Sequence, residues 1–361
     1  MNDQKWKVGI LGATGMVGQR FVQLLADHPW FDVVCVAASE RSAGKAYSES
    51  VTGRWSQQTD IPAAVGELRV YEVASDIDKI TAETDFVFSA LSMDKAKIRE
   101  IENLYASRDI PVVSNNSAHR WTEDVPIMMP EVNPHHLELI DIQRKNRGWN
   151  RGLIVVKPNC SIQSYVPVVH AWLKFEPEQM IVSTYQAISG AGKTFESCPE
   201  IVDNVIPYIG GEEQKSEEEP MKVWGRIKNN KIEPAKKPVI SSTCVRVPVT
   251  DGHMAAVNIR FAKKPKAEDL IEAIQNFKDP LADLNLPSSP RPLLKYFEEE
   301  DRPQTRLDRD LENGMTVTVG RIRPDTILDF KFVALSHNTL RGAAGGAVLT
   351  AELLAKKGYF S

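Results

Sequence analysis

The stretch Lys7-Val8-Gly9-Ile10-Leu11-Gly12-Ala13-Thr14-Gly15-Met16-Val17-Gly18 decides the fold. Lys7–Leu11 is a short apolar run that stops at a glycine, the pattern of a strand buried on both faces. From Met16 the apolar residues change to helical spacing, with Val17, Phe21, Leu24 and Leu25, until Pro29 ends the helix. A second apolar run follows at Asp32–Ala38. Residues 7–38 therefore read as strand, glycine-rich turn, helix, strand. In such a unit one glycine makes the turn, one lets the backbone approach a pyrophosphate, and one lets helix and strand pack closely. The spacing is G-x-x-G-x-x-G, not the commoner G-x-G-x-x-G. Its context carries the reading: the first strand of the chain, with a helix directly behind.

The alternation continues outward. Thr84–Ala90 is a strand, Asp94–Arg108 has helical spacing, and Ile110–Val113 is a further strand ending in the polar cluster Ser114–Ser117. This predicts a Rossmann-like, doubly wound parallel sheet. After about residue 150 the character changes. Leu153–Lys157 is a strand running into Pro158-Asn159-Cys160. Stretches 180–187, 239–249, 254–262 and 315–333 are β-branched and partly alternating, predicting an α+β unit with a larger, mixed sheet. The acidic stretch Glu212–Glu219 reads as a solvated loop. Arg341–Leu354 has helical spacing and is expected to pack back onto the first unit. The predicted division is 1–157 plus 338–361, and 158–337.

With 44 Lys and Arg against 48 Asp and Glu among 361 residues, the net charge of −4 excludes a strongly basic nucleic-acid binder and a polybasic membrane-surface protein. No apolar run approaches the roughly 20 residues that span a bilayer. The first residues run straight into a strand without a signal peptide, so the expected location is cytoplasmic. Cys35, Cys160, Cys198 and Cys244 are too far apart for a disulfide framework, and no metal-ligand spacing is present, so no metal is expected.

The second strand ends in Ser39-Glu40-Arg41-Ser42. An acidic residue here suits the ribose hydroxyls of NAD, and an arginine suits the 2′-phosphate of NADP; Ser39, Arg41 and Ser42 together favour NADP. Cys160 stands between a strand and a segment of helical character, Ser161–Phe175. A thiol at a helix N-terminus is expected to have a lowered pKa. His253 lies between two predicted strands, where a proton-transfer residue would sit, although spacing alone does not select it among the seven histidines.

At these residues the chain resembles aspartate-β-semialdehyde dehydrogenases of the archaeal and fungal type. The resemblance is carried by Gly12–Gly18, Ser114–Arg120, Lys157–Ser161, Thr184–Gly192, Arg246–His253 and Asn338–Gly345. It implies an NADP-dependent reduction of β-aspartyl phosphate to aspartate semialdehyde, with phosphate released, in the synthesis of lysine, threonine and methionine. Cys160 matches the cysteine that forms the acyl-thioester, His253 the acid/base, and Gln186 the glutamine that positions substrate. Arg246 matches the arginine for the substrate carboxylate. Glu219 and Lys222 look like the pair for the amino group and phosphate, with Arg120 and Asn159 as further substrate contacts. Gly12, Thr14, Gly15, Met16, Val17, Gly18, Ser39, Arg41, Ser42, Ser92, Ser189, Gly190 and Asn338 resemble the cofactor contacts. The resemblance also implies a homodimer or homotetramer formed through the second domain. A malonyl-CoA reductase on the same fold is the alternative, since it uses the same cysteine and cofactor but has no ammonium to hold.

Overall fold

The computed structural model describes residues 5–361. Its first sheet contains β1 (Trp6–Leu11), β2 (Phe31–Ala38), β3 (Val70–Glu72), β4 (Phe86–Ser89), β5 (Val112–Ser114) and β6 (Ile154–Val156). All are parallel, in the order β3-β2-β1-β4-β5-β6. The order reverses between β1 and β4, which opens a crevice at their carboxyl ends, where ligands bind in such folds. One face of the sheet is covered by the helices Met16–Leu25 and Ala344–Lys356, which share a core with Val8, Ile10, Phe86 and Phe88. The C-terminal helix thus returns to the first sheet, as expected. A bond of 2.9 Å between His28 Nε2 and Glu352 Oε1 ties the loop after the first of these helices to the second.

The second sheet is built from β7 (Pro177–Gln186), β10 (Val239–Arg246), β11 (His253–Phe261), β12 (Leu294–Phe297), β13 (Val317–Pro324) and β14 (Phe330–Ser336). Its order is β10-β7-β11-β14-β13-β12, with parallel pairs at both edges and antiparallel pairs inside. A small hairpin, β8 (Arg226–Lys228) and β9 (Lys231–Glu233), stands apart. Alternation along β7 and β11 sends Met180, Val182, Ala255 and Val257 into a core with Trp172 and Phe332. The opposite face stays open, with Ile181 49%, Tyr185 40% and Val239 65% exposed.

One expectation is corrected. The acidic stretch is not a solvated loop but the start of a helix, Glu212–Val223. Its buried residues Glu212, Ser216, Glu219 and Val223 recur at helical intervals, and the buried face is charged, which hides it from a hydrophobic reading. Glu213 and Glu217, one turn apart, accept the backbone N–H groups of Cys244 and Ser242 on the edge strand β10. The segment of helical character after Cys160 is helical in pieces. It breaks into a 3₁₀ turn (Ser161–Gln163), a short helix (Val166–Ala171) and another 3₁₀ turn (Leu173–Phe175).

Candidate active site

The glycine turn opens toward the crevice. Gly12 has φ +81°, and a Cβ there would lie 2.7 Å from the Ala90 carbonyl carbon. Gly18 packs so tightly that a Cβ would come within 2.6 Å of Ala13 Cα. Gly15, by contrast, has nothing nearer than Gly12 O at 3.5 Å. It is the N-cap of the helix Met16–Leu25, makes no side-chain cap, and has no acidic residue in the following turn. Free amides, a helix dipole and open space meet there, and a pyrophosphate fits that combination. Thr14, Met16 and Val17 flank it. At the end of β2, Ser39, Glu40 and Arg41 are exposed, whereas Ser42 is buried under the turn that its N–H closes on Ser39 O at 3.0 Å. Ser92 is exposed in the loop after β4.

Across the crevice lies Cys160, just after β6. Its surroundings come from four elements. Gln186 ends β7, Arg246 ends β10, His253 starts β11, and Glu212 starts the helix Glu212–Val223. These three neighbouring strands thus bring Gln186, Arg246 and His253 to the same end of one sheet. Gly190 marks how closely they converge: a Cβ there would lie 2.8 Å from His253 Nε2 and 3.1 Å from Arg246 Nη1. Asn338 holds this corner together. Its Nδ2 donates to Ser189 Oγ and its Oδ1 accepts from Gly252 N–H, each at 2.8 Å.

His253 is fully buried. Its Nδ1 accepts the Ala187 N–H at 3.1 Å, and Nε2 has no partner. That bond places the proton of the neutral ring on Nε2, facing the site. Burial, and then the Arg246 guanidinium, lower its pKa to about 3, so the ring is neutral across the physiological range. Arg246 Nη1 donates to Ala187 O at 2.8 Å.

The expected lowering of the thiol pKa is overturned. A single 3₁₀ turn follows Cys160, too short for an appreciable dipole. Burial, reinforced by the Glu212 carboxylate, pushes the thiol up to about 11 against the pull of Arg120, Lys157 and Arg246.

The helix Glu212–Val223 corrects a second assignment. Glu219 does not face the site. Its Oε1 accepts Arg120 Nη1 at 2.8 Å and its Oε2 accepts the Asn159 backbone N–H at 2.6 Å, deep in the protein. Lys222 is likewise occupied, donating to the carbonyls of Arg120, Thr122 and Val125 at 2.6–3.1 Å. The residues near Cys160 are two turns earlier. Glu212 accepts from Asn159 Nδ2 at 3.0 and 3.1 Å, from Gln186 Nε2 at 3.3 Å and from Lys215 Nζ at 2.7 Å. Burial alone would raise its pKa, but Lys215 and these donors hold it below the usual range. Glu212 and Lys215 were missed because only the later copy of the same glutamate–lysine spacing was read. Arg120 stays beside the site, with Nε on Lys157 O at 2.9 Å and Nη1 on Glu219.

Comparison with known proteins bears on this arrangement. The profile of the semialdehyde dehydrogenase NAD-binding domain matches residues 7–140, and that of the semialdehyde dehydrogenase dimerisation domain matches 167–341. An aspartate-semialdehyde dehydrogenase of Archaeoglobus fulgidus is 46% identical over 358 residues, covering 98% of this chain and 99% of that one. The chain belongs to the aspartate-semialdehyde dehydrogenase family. The Aspergillus fumigatus enzyme is 44% identical over 364 residues, covering 98% of both chains. Among solved structures, aspartate-semialdehyde dehydrogenase with NADP from Candida albicans superposes with a TM-score of 0.88 at 37% identity, covering 99% of this chain and all of that one. The resemblance to the archaeal and fungal type, the two-sheet architecture and the oxidoreductase class are thereby borne out. No helix among the described residues is long and apolar enough to cross a membrane.

Proposed function

We propose that this chain is an NADP-dependent enzyme that reduces L-4-aspartyl phosphate to L-aspartate 4-semialdehyde and releases phosphate, through a thioester on Cys160. The observation that carries the proposal is a linked set of side chains: Glu212 and Arg246 act on the Cys160 thiol, Gln186 bonds to Glu212, and the unpartnered Nε2 of His253 meets Arg246 at Gly190. Arg246 offers a planar fork to the α-carboxylate. Glu212 offers a carboxylate to the α-ammonium, and Lys215 and Arg120 offer cations to the phosphate. The thiolate attacks the acyl carbon and phosphate leaves. NADPH supplies the hydride that reduces the thioester. The neutral ring of His253 donates a hydrogen bond from Nε2 to the oxyanion that the hydride transfer creates, and that oxyanion re-forms the carbonyl as the C–S bond breaks and the Cys160 thiolate leaves.

Several features support the remaining parts of the reading. Arg41 is exposed at the end of β2, with Ser39 beside it and Ser42 below, and that set suits a 2′-phosphate. Gly15 and its open helix start suit the pyrophosphate, and Ser189, Gly190 and Asn338 border the crevice from the other side. Residues 1–157 with 338–361 would form the nucleotide domain, and 158–337 the catalytic and dimerisation domain. The open apolar face around Ile181, Tyr185 and Val239 is the surface through which two copies would pair. The product would feed lysine, threonine and methionine synthesis in the cytoplasm.

The test is NADP⁺ reduction by aspartate semialdehyde with phosphate, run beside malonate semialdehyde with CoA. Glu212 meets a substrate cation only in the first reaction, so that reaction is expected to be faster. A faster second reaction would replace the substrate and leave the thioester chemistry.

A further inference from the structure

Glu102 stands on the helix Lys95–Ser107, which packs against β5 and β6. It is 0% exposed, and no step of the proposed reaction uses it. Its Oε1 accepts Ser114 Oγ at 2.6 Å and Asn116 Nδ2 at 3.0 Å. Ser114 ends β5, and Asn116 Nδ2 also donates, at 2.9 Å, to Ser89 Oγ at the end of β4. Glu102 Oε2 has no partner. It lies 4.0 Å from His119 Nε2, which is likewise buried and without a partner. One turn earlier on the same helix, Arg99 Nη1 donates to Ala118 O at 3.1 Å. A single helix thus meets the segment after β5 at Ser114, Asn116, Ala118 and His119.

These contacts suit a neutral pair. Oε1 takes both donors, which leaves the proton of the acid to Oε2, toward His119. His119 Nδ1 meets Thr122 Oγ1 at 2.9 Å, and Nε2 is then the nitrogen free to accept. Burial acts in the same sense, pushing the Glu102 carboxyl up against its hydrogen bonds and lowering the His119 imidazole to about 4. Helix and loop are thereby joined without an unpaired charge in the interior.

The segment leads directly into Arg120. The guanidinium of Arg120 is held by Lys157 O and Glu219, and its carbonyl by Lys222 Nζ. Residues 115–119, between β5 and the arginine, are fixed from the other side, by Glu102 and Arg99. We propose that Glu102 is a positioning residue for Arg120: through Ser114, Asn116 and His119 it sets the segment that delivers the guanidinium to the phosphate. The proposal rests on Arg120 meeting the phosphate in the reaction proposed above.

The experiment is steady-state NADP⁺ reduction by the full-length enzyme, with phosphate and aspartate semialdehyde varied separately. In Glu102→Met, which loses every polar contact of the carboxyl, KM for phosphate rises at least about tenfold, while kcat and KM for aspartate semialdehyde stay within about twofold. Glu102→Gln keeps an acceptor for Ser114 and Asn116, supplies a donor toward His119 Nε2, and restores the phosphate KM. His119→Phe keeps a ring but loses Nε2; it raises the phosphate KM in the same direction and carries the test if the methionine variant does not fold. A folded Met or Phe variant with the unsubstituted phosphate KM overturns the proposal, and so does a Gln variant as impaired as the Met variant. The two readings separate cleanly. If NADP⁺ reduction by the unsubstituted enzyme does not depend on phosphate, the reaction falls and this role falls with it. An enzyme that needs phosphate, but whose folded variants keep its KM, loses only the role of Glu102.

Discussion

The helix Glu212–Val223 carries the same glutamate–lysine pair twice, at Glu212 and Lys215 and again at Glu219 and Lys222. The residues and their spacing are identical, and two helical turns separate the copies. The later copy is bound at every polar atom that matters: Glu219 to Arg120 and the Asn159 amide, Lys222 to three carbonyls. The earlier copy shares its carboxylate with the side chains of Asn159, Gln186 and Lys215, at the rim of the thiol. One copy holds the backbone of the loop before Cys160 in place; the other is available to a substrate. A motif gives the chemistry a residue can perform, and its surroundings decide whether it performs it.

Substitutions at the two copies should therefore separate stability from catalysis. The largest effect is expected at Glu219. Replacing it with alanine leaves the Arg120 guanidinium buried without its partner and should cost about 3–5 kcal/mol in denaturant unfolding. If Glu219→Ala unfolds like the unsubstituted protein, the structural role is wrong. Glu212→Gln should change stability little, but lower kcat/KM for aspartate semialdehyde by roughly 10- to 100-fold, the loss of about 1–3 kcal/mol from a charged contact. The reverse pattern would exchange the two assignments. The lysines sharpen the same contrast at smaller size. Lys222→Met should destabilise by about 1–3 kcal/mol, because buried carbonyls lose a charged donor. Lys215→Met should mainly raise KM for phosphate, by about tenfold, or about 1.4 kcal/mol.

The smallest effect concerns pH. His253 is already neutral above about pH 3, so it should add no acid limb to kcat/KM near pH 6.5. The free thiol titrates at about 11, so Cys160 alkylation should climb about tenfold per pH unit between pH 6 and 9. A plateau at pH 7 would mean the thiolate is already formed in the free enzyme.

The first sheet was legible because each strand is a continuous apolar run and each glycine has a job that only glycine does, as Gly12 and Gly18 show. The second sheet was legible as strands but not in its order, since pairing between distant strands leaves no local mark. Glu212–Val223 was misread because its buried face is polar. Glu213 and Glu217 cap an edge strand that is distant in sequence, and no composition argument anticipates such a partner. At the candidate site, Arg246 and Glu212 act on the Cys160 thiol, Gln186 is bonded to Glu212, and His253 and Arg246 meet at Gly190. The thiol's own field was misjudged, since it depends on how many helical turns follow Cys160 and on a glutamate from another element.

The central claim is that Cys160 carries the acyl group. Intact-mass spectrometry of the enzyme mixed with aspartate semialdehyde and NADP⁺, quenched in acid without phosphate, tests it most directly. The account predicts an aspartyl adduct that maps to the Cys160 peptide, disappears when phosphate is added before the quench, and is absent from Cys160→Ser. An enzyme that reduces NADP⁺ with no adduct, or one that carries the adduct on Cys198 or Cys244, would contradict it.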